Sequence, residues 1–165
     1  MNARGFTLAE VAVATALVGT LLVASLNVVG GSAAGQARTA DLERARLLAQ
    51  DMLAEVTIRA YEDQDSPMWG VEPGEAGINR MGFDDVDDYA DLTESPPVWR
   101  DGSAIAGADG WIRSTVVECA ATANPAQTVQ IDQGLKRITV TVSRNGAVMA
   151  RLVAIRSRGR DELSR

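Results

Sequence analysis

The residues in this chain that could do chemistry are nearly all carboxylates, and their placement is uneven. Glu10 stands alone at the head of an apolar run. From Val11 to Gly35, twenty-five residues pass without another charge. A second group, Asp84, Asp85, Asp87, Asp88 and Asp91, crowds five acids into eight positions. There is no histidine, so serine–histidine and cysteine–histidine nucleophilic catalysis and the usual histidine-bearing metal sites are excluded. Cys119 is the only cysteine, which rules out an intramolecular disulfide. It lies in an apolar, alternating run, as a small core residue rather than a reactive thiol would. The formal net charge of −6 argues against general nucleic-acid binding. Arg151, Arg156, Arg158, Arg160 and Arg165 make the C-terminal end locally basic, which a solvated edge strand and tail explain.

Glu10 is the residue that needs a reason. At about 1.5 Å per residue the uncharged run is long enough to cross the roughly 30 Å hydrocarbon core of a bilayer. A carboxylate carried into that core costs about 2.5–3.5 kcal/mol. A cleaved secretory signal, with Ser32-Ala33-Ala34 as its cleavage site, gives Glu10 no purpose, and its apolar region would be unusually long. A plain single-pass anchor gives it none either.

The segment Gly5-Phe6-Thr7-Leu8-Ala9-Glu10 resembles the processing site of type IV prepilins and type II secretion pseudopilins. Ala9 stands where that family usually has a bulkier aliphatic residue. The resemblance implies that a prepilin peptidase cuts between Gly5 and Phe6 and N-methylates the new terminus at Phe6. It also implies that Glu10 docks the subunit by pairing with the N-terminal amine of a neighbour. Charge logic agrees, because cutting before Phe6 creates the opposite charge that an intramembrane acid requires. The resulting division is a leader at 1–5, a membrane and assembly helix at 6–35, and a periplasmic domain at 36–165.

The elements that follow must carry this helix. Gly30-Gly31-Ser32-Ala33-Ala34-Gly35 predicts a loosened point within one long helix. From Gln36 to about Glu62, Leu42, Ala45, Leu48 or Ala49, Met52 or Leu53, and Val56 recur at three- and four-residue steps, which predicts an amphipathic helix. Glu43 and Arg46 offer an ion pair at spacing three. Residues 63–110 hold four of the five prolines and little periodicity. The aspartate run inside them could hold calcium, but its spacing does not match an EF-hand loop. A solvated loop with Phe83, Val86 and Tyr89 turned into the core explains the same residues, and no metal and no cofactor is assigned.

The same stretch, Phe83-Asp84-Asp85-Val86-Asp87-Asp88-Tyr89, resembles MshD-like minor pilins, which also end in paired strands of alternating valine and threonine. Strands are predicted at Trp111–Cys119 (with Ile112, Val116 and Val117), Thr128–Ile131, Leu135–Ser143 and Ala147–Ile155, with a two-residue hairpin at Asn145-Gly146. The expected fold class is α+β: a long N-terminal helix packed on a C-terminal antiparallel sheet, as in type IV pilins.

The expectation is a minor pilin or pseudopilin, a structural subunit and not an enzyme. It sits in the bacterial inner membrane by a single pass, with its C-terminal domain in the periplasm. Its partners are the prepilin peptidase, other pilin subunits and the inner-membrane assembly platform. Whether the filament is an adhesive pilus, a secretion pseudopilus or a DNA-uptake fibre stays open. The competing expectation is a membrane-anchored periplasmic module that binds ligand through the acidic loop 63–110, with Trp69 and Trp99. A hydrolase built on two of the aspartates has little support, because neighbouring acids in one loop give no sign of unlike environments at a set separation.

Overall fold

The computed structural model describes residues 7–63, 68–75, 77 and 79–159. The chain divides into two compact units, Met1–Asp41 and Leu42–Arg165. One helix, α1, spans Leu8–Thr57 and continues without a break through Gly30–Gly35.

Among the described residues of the first unit, the apolar side chains of the helix are exposed, Leu8 89% and Leu26 71%. Its hydroxyl groups are satisfied within the helix. Thr15 donates to the Val11 carbonyl, Ser25 to Leu21 and Ser32 to Val28, at 2.8–2.9 Å. A helix in hydrocarbon needs this, since no water is there to take up a stray donor. α1 is long and apolar enough to cross a membrane.

In the second unit the same helix becomes amphipathic, as the periodicity predicts. Ala45, Leu48, Ala49, Met52 and Val56 are buried, and Leu53 packs at the margin. Leu42 stays partly exposed. The Glu43–Arg46 ion pair forms at 3.3 Å on the solvent side. The helix stops at Thr57, not near Glu62. Beyond it the chain turns to support the acidic loop, with the Val86 N–H donating to the Ala60 carbonyl at 3.1 Å.

The buried stripe meets an antiparallel sheet of order β1-β2-β3-β4, formed by Leu92–Glu94, Trp111–Cys119, Leu135–Arg144 and Ala147–Ser157. The core joins the helical stripe to Phe83, Val86, Tyr89, Trp111, Val117, Ile138, Val140 and Val142. The fold is thus α+β, a long apolar N-terminal helix packed through its second half on a four-stranded antiparallel sheet. Asn145 and Gly146 take φ of 52° and 78°, the two positive values that a type I′ hairpin turn requires.

Two expectations change. Thr128–Ile131 is not a strand; it makes only the Ala120–Thr128 bridge, and Ile131 is 79% exposed with no face to bury. The edge strand is instead β1, three residues paired with Arg113–Thr115. In β2 the residues facing the helix are Trp111, Arg113, Thr115 and Val117, while Ile112 and Val116 turn outward, 40% and 38% exposed.

Candidate assembly helix and acidic loop

Gly5 and Phe6, the expected cleavage and methylation site, lie outside the described residues, as do Arg160 and Arg165. Glu10 lies within them. Its carboxylate accepts the backbone N–H of Thr7 at 2.8 Å and the Thr7 hydroxyl at 2.9 Å, while the Thr7 hydroxyl accepts the Glu10 N–H at 3.3 Å. This is a reciprocal capping box at the start of α1. The signal was present in the sequence as Thr7-x-x-Glu10, and it gives Glu10 a role within its own chain.

The aspartate loop is not the solvated loop that its composition suggested. Phe83, Val86 and Tyr89 do enter the core, with the Phe83 and Tyr89 rings edge-to-face at 5.0 Å. Asp85, Asp87 and Asp88 are buried as well, and only Asp84 and Asp91 are exposed. The reason is backbone satisfaction. Asp85 accepts the N–H groups of Asp87, Asp88 and Asp63 at 2.8, 3.2 and 2.7 Å. Asp88 Oδ2 accepts those of Asp84 and Asp85 at 2.9 and 3.1 Å. Short acidic side chains replace the hydrogen bonds that an irregular segment lacks. Burial and the neighbouring Asp87 push the Asp85 carboxyl up to about 7.

Two buried cation clusters bolt this loop to the helix and the sheet. Arg80 forks onto Glu55 of α1, Nε to Oε1 at 2.9 Å and Nη2 to Oε2 at 3.1 Å, and also pairs with Glu94 of β1. Arg113 of β2 meets the other Glu94 oxygen at 2.6 Å and donates to the carbonyls of Leu48 and Val98 at 3.1 and 2.7 Å. Tyr89 donates to Glu55 at 3.0 Å. Burial alone would raise the Glu55 carboxyl, but Arg80 and Tyr89 together hold it below the usual carboxylate range. On the other side, Lys136 of β3 pairs with Asp87 and donates to the Tyr61 carbonyl, its ammonium 4.5 Å from the Tyr61 ring centroid. Alternation puts Lys136 on the inward face of β3 with Ile138, Val140 and Val142, although its charge alone suggests solvent; in β2 the apolar Ile112 and Val116 on the opposite parity hid Arg113.

A cleft of about 200 Å³ opens beside Lys136, lined also by Trp69, Asp85, Asp87 and Arg158. It joins Trp69 to two of the aspartates. Trp99 lies elsewhere, in a groove with Glu55 and Arg80. Cys119 ends β2 half-buried, where a small buried core residue was expected, and burial pushes its thiol up, away from reactivity.

The sequence pointed to Asp88 but not to the two glutamates that it meets. Glu72, Glu75 and Asp88 bring carboxylate oxygens within 4.8 Å of one another. Burial, then the neighbouring Glu72 and Asp88, push the Glu75 carboxyl up to about 8. Comparisons with protein-family models, with curated proteins and with solved structures each find no match.

Proposed function

We propose that the chain is a minor pilin or pseudopilin, processed by a prepilin peptidase and built into, or at the start of, a type IV pilus or type II secretion pseudopilus. The observation that carries this reading is Glu10 at the head of a twenty-five-residue uncharged run, four positions after Phe6 in Gly5-Phe6-Thr7-Leu8-Ala9-Glu10. Supporting it, that run lies on a helix whose second half packs on an antiparallel sheet.

In this reading the first part of α1 spans the bacterial inner membrane and the second unit faces the periplasm. Cleavage after Gly5 frees the Phe6 amine, which is then methylated and keeps its positive charge. A carboxylate in hydrocarbon costs about 2.5–3.5 kcal/mol, and the amine of an adjacent subunit offsets that cost when the two meet. Assembly is thereby favoured over the isolated, membrane-dissolved subunit. The exposed apolar side chains of the first part of α1 become the packing surface between subunits. The protein is the substrate of the peptidase and performs no chemistry of its own.

The test is Gly5→Leu in a host that carries the peptidase. The branched side chain should block cleavage and leave full-length precursor in the membrane fraction. Normal processing of Gly5→Leu would contradict the proposal.

A further inference from the structure

Most buried acids of the second unit are answered by a donor or a cation: Asp85 by three N–H groups, Asp87 by Lys136, and Glu94 by Arg80 and Arg113. The cluster of Glu72, Glu75 and Asp88 is answered only in part, by the two N–H groups on Asp88 Oδ2. Glu72 is 7% and Asp88 1% exposed. Among the described residues, both carboxylate oxygens of Glu72, Oε2 of Glu75 and Oδ1 of Asp88 have no hydrogen-bond partner, and none of the three side chains enters an ion pair. Burying an unanswered carboxylate oxygen is costly, and here such oxygens of the buried Glu72 and Asp88 converge with one of the half-buried Glu75.

The local structure presents them deliberately. Glu72-Pro73-Gly74-Glu75 is a β-turn closed by the Glu75 N–H donating to the Glu72 carbonyl at 2.9 Å, with proline at its second position. Asp88 comes from the short 3-10 turn Asp87–Tyr89. The Asp84 and Asp85 N–H groups fix its Oδ2, which leaves Oδ1 as the free oxygen. Gly82 lets the chain pass close behind, since a Cβ there would stand 3.0 Å from the Glu75 carbonyl oxygen and 3.1 Å from its Cα.

We propose that Glu72, Glu75 and Asp88 form a binding site for a hard divalent cation of the calcium type. The donor set is oxygen only, which suits calcium, magnesium or manganese over softer metals. Ligands about 2.4 Å from a calcium ion stand at most about 4.8 Å apart, and calcium accepts the irregular arrangement that one turn and one short helix supply. Water can complete the coordination. Of the five aspartates that the sequence singles out, only Asp88 takes part. The site is independent of Glu10 and of filament assembly.

The test uses the full-length chain in detergent, stripped with EDTA and dialysed into chelator-free buffer at pH 7.5. Calcium chloride and magnesium chloride are each titrated while uptake is followed by equilibrium dialysis and stability by melting temperature. The wild type should take up calcium saturably and melt about 5 °C or more higher at a hundredfold excess over Kd. Glu72→Gln should bind at least tenfold more weakly. Without metal it should melt at or above the wild type, because one repelling charge is gone. Glu72 makes no side-chain hydrogen bond among the described residues, so this variant is the one that keeps its fold. Asp91→Asn, exposed and outside the cluster, should leave uptake unchanged. Absence of saturable calcium uptake by the wild type would overturn the site, and a proton shared among the carboxyls would then account for the cluster. Equal uptake by Glu72→Gln would overturn it too, and magnesium binding as tight as calcium would overturn the calcium assignment.

Discussion

Glu10 carries two demands in the same few atoms. Within its own chain it completes the capping box with Thr7; in the proposed filament it must meet a neighbour's amine. Two substitutions separate these demands. Glu10→Ala removes both, whereas Glu10→Gln keeps a side chain that can cap but carries no charge. Both variants should be cleaved normally and enter filaments poorly, as measured by the processed subunit in sheared-filament fractions. Incorporation of Glu10→Gln at wild-type level would assign the residue to capping and remove the docking role. Glu55 makes a second residue-scale prediction. Its folded carboxyl is held below the ordinary 4.5, so the unfolded chain binds the proton more readily. Its contribution to stability is therefore fully present above about pH 4.5 and is lost as pH falls through the lower folded value. In urea unfolding, Glu55→Gln should be less stable at neutral pH and should decline less steeply on acidification. Parallel acid limbs for wild type and variant would contradict this. The sequence showed Glu10 because an acid in an apolar run is conspicuous. It did not show Glu72 and Glu75, whose approach to Asp88 depends on a chain path that no local pattern encodes.

At the scale of elements, α1, β1, β2 and the proline-rich loop meet at Arg113. Its guanidinium reaches the helix at Leu48, β1 at Glu94 and the loop at Val98. Arg113→Ala takes the donor from the buried Glu94 Oε2, leaving Arg80 on Oε1 alone, and should cost about 3–5 kcal/mol in chemical denaturation. A loss within about 0.5 kcal/mol, as for an exposed pair, would show that the cluster does not tie these elements together. Elements were readable where one periodicity dominates. The helical stripe from Ala45 to Val56 and the β3–β4 hairpin at Asn145-Gly146 stand where spacing and turn chemistry put them. The three residues of β1 are too few to alternate, and Ile131 invites a strand assignment that turn residues on both sides defeat. In β2, inward positions filled by Arg113 and Thr115 reverse the hydrophobic pattern, because a buried guanidinium with matched carboxylates takes the place of an apolar side chain.

Across the whole molecule, one helix serves two environments. Apart from Glu10 and Asn27, its first part up to Gly35 offers small, apolar and self-satisfied hydroxyl side chains, and its second part is the spine of the α+β unit. That division was readable from charge alone, since residues 11–35 carry none and charges return from Arg38 onward. The central claim is that the mature protein begins at a methylated Phe6. Its most direct test is the intact mass and N-terminal sequence of the membrane-extracted protein, from hosts with and without prepilin peptidase. The account predicts a start at N-methylated Phe6 that appears only with the peptidase. A start at Met1 in both hosts, or a peptidase-independent start near Gly35, would contradict it.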